Sequence, residues 1–171
     1  MPTLLAATEK EPLRAPPNPG GRNAGAGLMR WVTHLGGARA TLGAGVALLP
    51  FGGATGRLGL TILVANVLSH AAVQVLKRTV ARARPCDAVG HPLAVVDLPD
   101  PFSFPSGHAA AATAVAASVA LADPVLGPVV LPLAALVAYS RFRLRVHHVS
   151  DVLVGAALGL AGAMVASRLL H

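Results

Sequence analysis

Residues 58–85 read LGLTILVANVLSHAAVQVLKRTVARARP, and the fold turns on them. The first 19, residues 58–76, contain no Asp, Glu, Lys or Arg. About 20 such residues in an α-helix cross the hydrocarbon of a bilayer. Four cations then follow, Lys77, Arg78, Arg82 and Arg84, before Pro85. Proline restricts the residue before it and cannot continue a helix. The segment predicts one membrane-spanning helix that ends in a cationic collar at the water interface.

Four further apolar blocks lie on either side. Residues 40–51 are short and broken by glycine, and residues 107–122 are dense in alanine. Residues 125–140 contain Pro128 and Pro132. Residues 152–170 carry Gly155 and Gly159 at the GxxxG spacing that lets helices approach closely. No strand pattern and no internal repeat is visible. Residues 28–37, LMRWVTHLGG, predict a short helix lying in the interface, with Trp31 anchored at the membrane surface. Residues 1–27, rich in Pro, Gly and Ala, predict a disordered tail. The expected fold class is all-α: a polytopic membrane helical bundle of about five transmembrane helices plus a short N-terminal interfacial helix. One membrane-embedded domain would occupy residues 28–171.

Composition supports this. Of 171 residues, 54% are hydrophobic and only 12% charged, with mean hydropathy +0.62, too apolar for an ordinary soluble domain of this size. The net charge of +7 suits nucleic acid, anionic lipid or a phosphate-bearing substrate. The cations are not interleaved with aromatics, which excludes a nucleic-acid partner. They cluster at the ends of apolar blocks, which suits headgroups and phosphates. A single cysteine, Cys86, permits no intrachain disulfide and suggests no zinc site. Nothing indicates an oligomeric state.

Helices through a membrane alternate in direction. The end of the second block, the start of the third, the end of the fourth and the start of the fifth therefore emerge on one side. Topology gathers Lys77, Arg78, Arg82 and Arg84 with Ser106, Gly107 and His108, then with Arg141, Arg143, Arg145, His147, His148 and Asp151. Lys77 and Arg84 are seven apart, about two helical turns. Arginine offers phosphate a planar fork of donors and lysine a point charge. Ser106 can cap a helix whose first amides, at Gly107 and His108, attract an anion. His147 and Asp151 are one turn apart, so the carboxylate can hold one ring nitrogen and leave the other free as a nucleophile. Taken singly, each cluster also fits a blander reading: a basic collar, a capped helix, an interfacial ion pair.

Taken together, these residues resemble the type-2 phosphatidic acid phosphatase superfamily, which also includes the vanadium haloperoxidases. Its signature K-x6-R-P, P-S-G-H and S-R-x5-H-x3-D is present in order. The matches are Lys77 to Arg84-Pro85, then Pro105-Ser106-Gly107-His108, then Ser140-Arg141 to His147 to Asp151. The resemblance implies that Lys77, Arg84, Ser106, Gly107 and Arg141 bind the phosphoryl oxygens. It implies that His147, oriented by Asp151, attacks phosphorus, and that His108 protonates the leaving oxygen and then activates water. It implies neither metal nor cofactor, and a site with one carboxylate makes a poor magnesium cradle.

The sequence departs from the family's habits in residues 140–151, SRFRLRVHHVSD. Arg143 and Arg145 stand where a tyrosine and a small residue are common, and His148-Val149 replaces a frequent Tyr-Pro pair. Those arginines suit a second phosphate, a phosphorylated sugar or anionic headgroups alike.

The expected function is metal-independent hydrolysis of a lipid phosphate or diphosphate through phosphohistidine. Candidate substrates are polyprenyl diphosphate, phosphatidic acid, phosphatidylglycerophosphate and a polyprenyl-phosphoryl sugar phosphate. The alternatives are phosphotransfer or haloperoxidase chemistry on the same scaffold, or a non-catalytic lipid-binding membrane protein. Composition points to a bacterial inner membrane. The excess of Lys and Arg on the site's side places that side in the cytoplasm by the positive-inside rule.

Overall fold

The computed structural model describes residues 24–86, 93, 94, 96 and 100–170. Their regular structure is six α-helices: α1 Ala24–His34, α2 Ala38–Leu48, α3 Gly53–Val80, α4 Gly107–Ala122, α5 Gly127–Arg143 and α6 Val149–Leu170. Short 3-10 turns, Leu49–Phe51 and Pro124–Leu126, extend α2 and lead into α5. The five apolar blocks become α2 to α6. Three are long and apolar enough to cross a membrane: α3, α5 with its leading turn, and α6; Ala38–Phe51 and Gly107–Ala122 are apolar but shorter. Helix α1 already includes residues 24–27, which the sequence reading assigned to the tail. Residues 1–23 lie outside the described residues.

Small residues set the packing. On α6, Gly155, Gly159 and Gly162 are buried. A Cβ on Gly155 would run into the Ser106 carbonyl oxygen, and one on Gly159 into the Ala110 carbonyl oxygen. At Gly162 it would stand 2.8 Å from the Ala65 carbonyl oxygen. The expected glycine pair thus brings α6 onto the backbone of α4, and the third glycine brings it onto α3. Alanine fills the seam between these helices: Ala65, Ala114, Ala117, Ala163 and Ala166 form one buried cluster. A second cluster, Ala112, Ala116, Ala134 and Val137, joins α4 to α5. The larger apolar side chains point outward, among them Val67, Val75, Leu131, Leu133, Leu153, Leu160 and Leu169. Small inside and large outside is the arrangement for helices whose outer surface meets lipid rather than water.

Buried polar side chains within the helices bond to the preceding turn. Asn66 donates to the Ile62 carbonyl at 2.9 Å, and Ser118 to that of Ala114 at 2.8 Å. The helix ends are closed individually. Gly52, at φ 62°, reverses the chain before α3. Ala81, also left-handed, ends α3 by donating its amide to the Lys77 carbonyl at 3.1 Å. Helix α5 ends as the Arg145 amide donates to Phe142 and the Val146 amide to Arg141, with Arg145 at φ 55°. The stops at Ala81 and at Arg145 deliver the ends of α3 and α5 to the same face, while Gly52 lies at the other end of α3.

Candidate active site

The last residues of the long α3–α4 connection are pinned beneath the end of α3. The Ser103 amide donates to the Arg82 carbonyl at 2.9 Å and its hydroxyl to the Ala83 carbonyl at 2.8 Å, while Ala83 and Phe102 form an isolated antiparallel bridge. The Ser103 carbonyl is thereby aimed at His147 Nδ1, 2.6 Å away. A carbonyl can only accept, so Nδ1 carries the proton and Nε2 keeps its lone pair. Burial pushes the imidazole below the ordinary histidine range; Asp151 pulls the other way, and Arg141 and Arg84 reinforce the effect of burial. His147 is therefore neutral near pH 7.

The structure adds a partner that the sequence reading did not name. Asp151 Oδ2 stands 3.7 Å from His147 Nδ1, in ion-pair range but beyond hydrogen-bond length, so the nearer Ser103 carbonyl holds the tautomer directly. Asp151 also closes the start of α6. Its Oδ2 accepts the His148 amide at 2.8 Å, one half of a capping box, and a backbone turn from the Asp151 amide to the His148 carbonyl at 3.1 Å closes the same end. The His148 Nδ1–H group donates to the same oxygen at 3.2 Å, and Arg82 Nη1 donates to Oδ1 at 2.9 Å. The Asp151 carbonyl also accepts the Ser106 amide at 2.9 Å, tying α6 to the start of α4.

Of the expected phosphate-binding cations, two already share a partner. Lys77 Nζ lies 2.6 Å from Asp100 Oδ2, and Arg84 Nη2 lies 3.2 Å from Asp100 Oδ1. Arg84 also donates to the carbonyls of Asp100 and Val146, at 3.1 and 3.0 Å. Burial opposes the Asp100 charge, but Lys77, then Arg84 and the Phe102 amide, hold its carboxyl below the ordinary range. Burial pulls Arg84 below its usual value against the effect of Asp100, and the guanidinium remains charged. Arg141 is buried on the opposite side. Its Nη1 donates to the Thr33 hydroxyl of α1 at 2.7 Å, and its Nε is buried without a partner.

Ser106 caps α4, its hydroxyl accepting the Ala109 amide at 3.4 Å. The Gly107 and His108 amides open the helix and have no acceptor within it. A Cβ on Gly107 would meet only Val73, at 3.8 Å, so an anion has room to reach this backbone. The His108 ring faces the α1–α2 turn: Gly36 packs against its backbone, and a Cβ on Gly37 would lie 4.0 Å from Nε2. His108 is within electrostatic range of Arg141, His147, His34 and Lys77. Among the described residues, no group of three or more His, Cys, Asp or Glu side chains could hold a metal ion. All eight residues singled out in the sequence therefore reach one face. Arg143 and Arg145 are exposed at its edge.

The model of the PAP2 superfamily matches residues 56–171, more than half of the chain. The chain belongs to that superfamily. It is 46% identical to decaprenylphosphoryl-5-phosphoribose phosphatase of Mycobacterium tuberculosis over 103 residues, 58% of this chain and 55% of that protein. It is 36% identical to the protein of that name from Mycolicibacterium smegmatis over 130 residues, 75% of this chain and 67% of that one. Undecaprenyl-diphosphatase of Sulfolobus acidocaldarius is 32% identical over 109 residues, 61% of this chain and 52% of the relative. The chain thus spans between about half and two thirds of the length of these relatives. The transmembrane PAP2-type phosphatidylglycerolphosphate phosphatase of Bacillus subtilis superposes with TM-score 0.70 at 30% identity, covering 84% of this chain and 75% of that one. Aquifex aeolicus LpxE, at 24% identity and TM-score 0.71 over 86% of this chain and 88% of that one, shares the fold.

Within this PAP2 site, four contributors escaped the sequence reading. The Ser103 carbonyl is backbone and leaves no side-chain signal. Thr33 lies 108 residues from Arg141, on a helix expected only to rest on the membrane surface. Arg82 was visible in the cationic run, but nothing in its spacing marked it as the partner of Asp151. Asp100 had one available signal: it is an acid held between Pro99 and Pro101, close before the P-S-G-H segment.

Proposed function

We propose that this chain is a phosphatase acting on a lipid-borne phosphate, with His147 Nε2 as nucleophile. The observation that carries the proposal is the bond from His147 Nδ1 to the Ser103 carbonyl. It leaves a neutral imidazole with Nε2 unprotonated, in electrostatic reach of Arg141 and Arg84. In-line attack forms an N–P bond and breaks the P–O bond to the lipid. His108 supplies the proton that the leaving oxygen needs, then takes one from the water that hydrolyses phosphohistidine. The three cations and the Gly107 and His108 amides stabilise the transferring oxygens. Asp151, with Arg82 and His148, holds the start of α6 and so the position of His147.

The named activities of the mycobacterial relatives favour a polyprenyl-phosphoryl sugar phosphate as substrate, with a polyprenyl diphosphate next. A lipid tail stays in the bilayer beside the outward Leu and Val surface while its phosphate meets the cationic face. The excess of cations at that face supports a cytoplasmic orientation for it. The test is phosphate release from a panel of lipid mono- and diphosphates by protein purified in detergent. The wild type should release phosphate and His147→Ala should fall to background, a loss of at least about 10⁴-fold. Equal release by the variant, with its fold intact, would overturn the nucleophile.

A further inference from the structure

We propose that Asp100 is an internal competitor for the phosphoryl site, occupying Lys77 and Arg84 between turnovers and yielding them to each incoming phosphoryl group. The inference rests on the phosphatase reading given above.

The geometry points this way. Asp100 presents two oxygens to two cations, Oδ2 to Lys77 at 2.6 Å and Oδ1 to Arg84 at 3.2 Å, as two phosphoryl oxygens would. The Asp100 side chain keeps 29% of its surface exposed, whereas Lys77 and Arg84 keep 9% and 7%. The cations are fixed and the anion is the movable member. Beyond the two cations, the carboxylate has one local bond among the described residues, from the Phe102 amide to Oδ1 at 2.9 Å. Asp151 is the contrast: wholly buried, it is held by the α6 cap and Arg82 and cannot leave. The third cation of the cradle, Arg141, has no carboxylate partner among the described residues and keeps its unpaired Nε. An arriving phosphoryl group therefore finds one cation open and two to be won by displacement.

The consequence falls on product release. Inorganic phosphate left among Lys77, Arg84 and Arg141 would bind tightly, since charge-assisted hydrogen bonds are the strong ones. A tethered carboxylate at high local concentration weakens every oxyanion equally and helps expel the product. It equally keeps the phosphodiester headgroups of the bilayer from saturating the site. The competing reading makes Asp100 a brace that holds Lys77 and Arg84 in place while phosphate binds.

Affinity separates the two, because a broken brace cannot tighten binding. Inhibition of turnover by inorganic phosphate and by vanadate, and thermal stabilisation of the protein by each, would be measured for wild type, Asp100→Asn and Asp100→Ser. Serine keeps a local acceptor for the Phe102 amide and so guards against a variant that fails to fold. Both variants should bind phosphate and vanadate about tenfold or more tightly, with a lower KM and a kcat no higher than wild type. Binding equal to or weaker than wild type in a folded variant would overturn the competitor. Wild-type protein that neither binds these anions nor releases phosphate would overturn the phosphatase reading itself.

Discussion

On the α6 side of the site, the Asp151 carboxylate and the Nδ1 edge of His147 are answered by the protein. Asp151 accepts from Arg82 and twice from His148, and His147 Nδ1 donates to Ser103. On the α1 side, among the described residues, Arg141 has one side-chain bond, to Thr33, and a buried Nε with none, while His108 rests against two glycines. An unsatisfied buried donor costs about 1–3 kcal/mol, and such a cost persists where a ligand removes it. In the mechanism we propose, the nucleophile is thus positioned before substrate arrives, and the acid and its neighbouring cation are completed by substrate. Rigidity and vacancy are divided between two walls of one cleft.

That division is broken first at His108. His108→Ala should cut phosphate release by about 10²–10⁴-fold with a smaller effect on the unfolding temperature in detergent than Asp151→Asn, because among the described residues the His108 ring makes no hydrogen bond while Asp151 makes several. A loss of stability comparable to the loss of rate would show that His108 belongs to the rigid wall. Asp151→Asn tests the opposite wall. Since Ser103 holds the His147 tautomer, the variant should keep measurable turnover while losing about 1–3 kcal/mol of stability, through its cap and its bond to Arg82. Turnover as low as that of His147→Ala, in a protein of unchanged stability, would restore Asp151 to direct control of the ring.

The finished wall also sets a pH dependence. Burial lowers the folded pKa of His147, so the ring stays neutral and nucleophilic below the ordinary histidine value of about 6.5. The acid limb of kcat/KM assigned to the nucleophile should therefore lie under that value. The unfolded chain binds this proton more readily than the folded one. The contribution of His147 to stability is thus present above the unfolded pKa and is lost as pH falls toward the folded value. An acid limb above the ordinary value would mean that Asp151 outweighs burial.

What the sequence made legible follows the same line. Lys77, Arg84, Ser106, His108, Arg141, His147 and Asp151 sit within a turn or two of helix ends, so alternation of apolar blocks was enough to bring them to one face. GxxxG spacing similarly anticipated a close helix contact at Gly155 and Gly159, though not that α4 would be the partner. The irregular connection was opaque, because periodicity says nothing about where residues 85–105 run. Asp100 and the Ser103 carbonyl, which decide the state of the cations and the tautomer, both lie there. Arg141 was placed correctly, but its partner Thr33 depends on α1 folding back over the site. The boundary of α3 was missed by five residues, because Gly53, Thr55 and Arg57 lengthen the helix without lengthening its apolar run.

The smallest effect concerns the hinge between the walls. Arg145 adopts φ 55° where α5 turns toward His147, and its exposed side chain gains nothing from burial. A left-handed conformation costs an L-residue roughly 1–2 kcal/mol, and glycine almost nothing. The backbone thus explains why a small residue suits this place. Arg145→Gly should stabilise the protein by about 1 kcal/mol, less whatever the unfolded chain gains in entropy, and raise its unfolding temperature in detergent. A fall instead would mean that the arginine makes a contact worth more than its strain. Mutating the exposed Arg143 in parallel separates the two causes: it shares the charge and position but not the strained backbone, so only Arg145→Gly should stabilise.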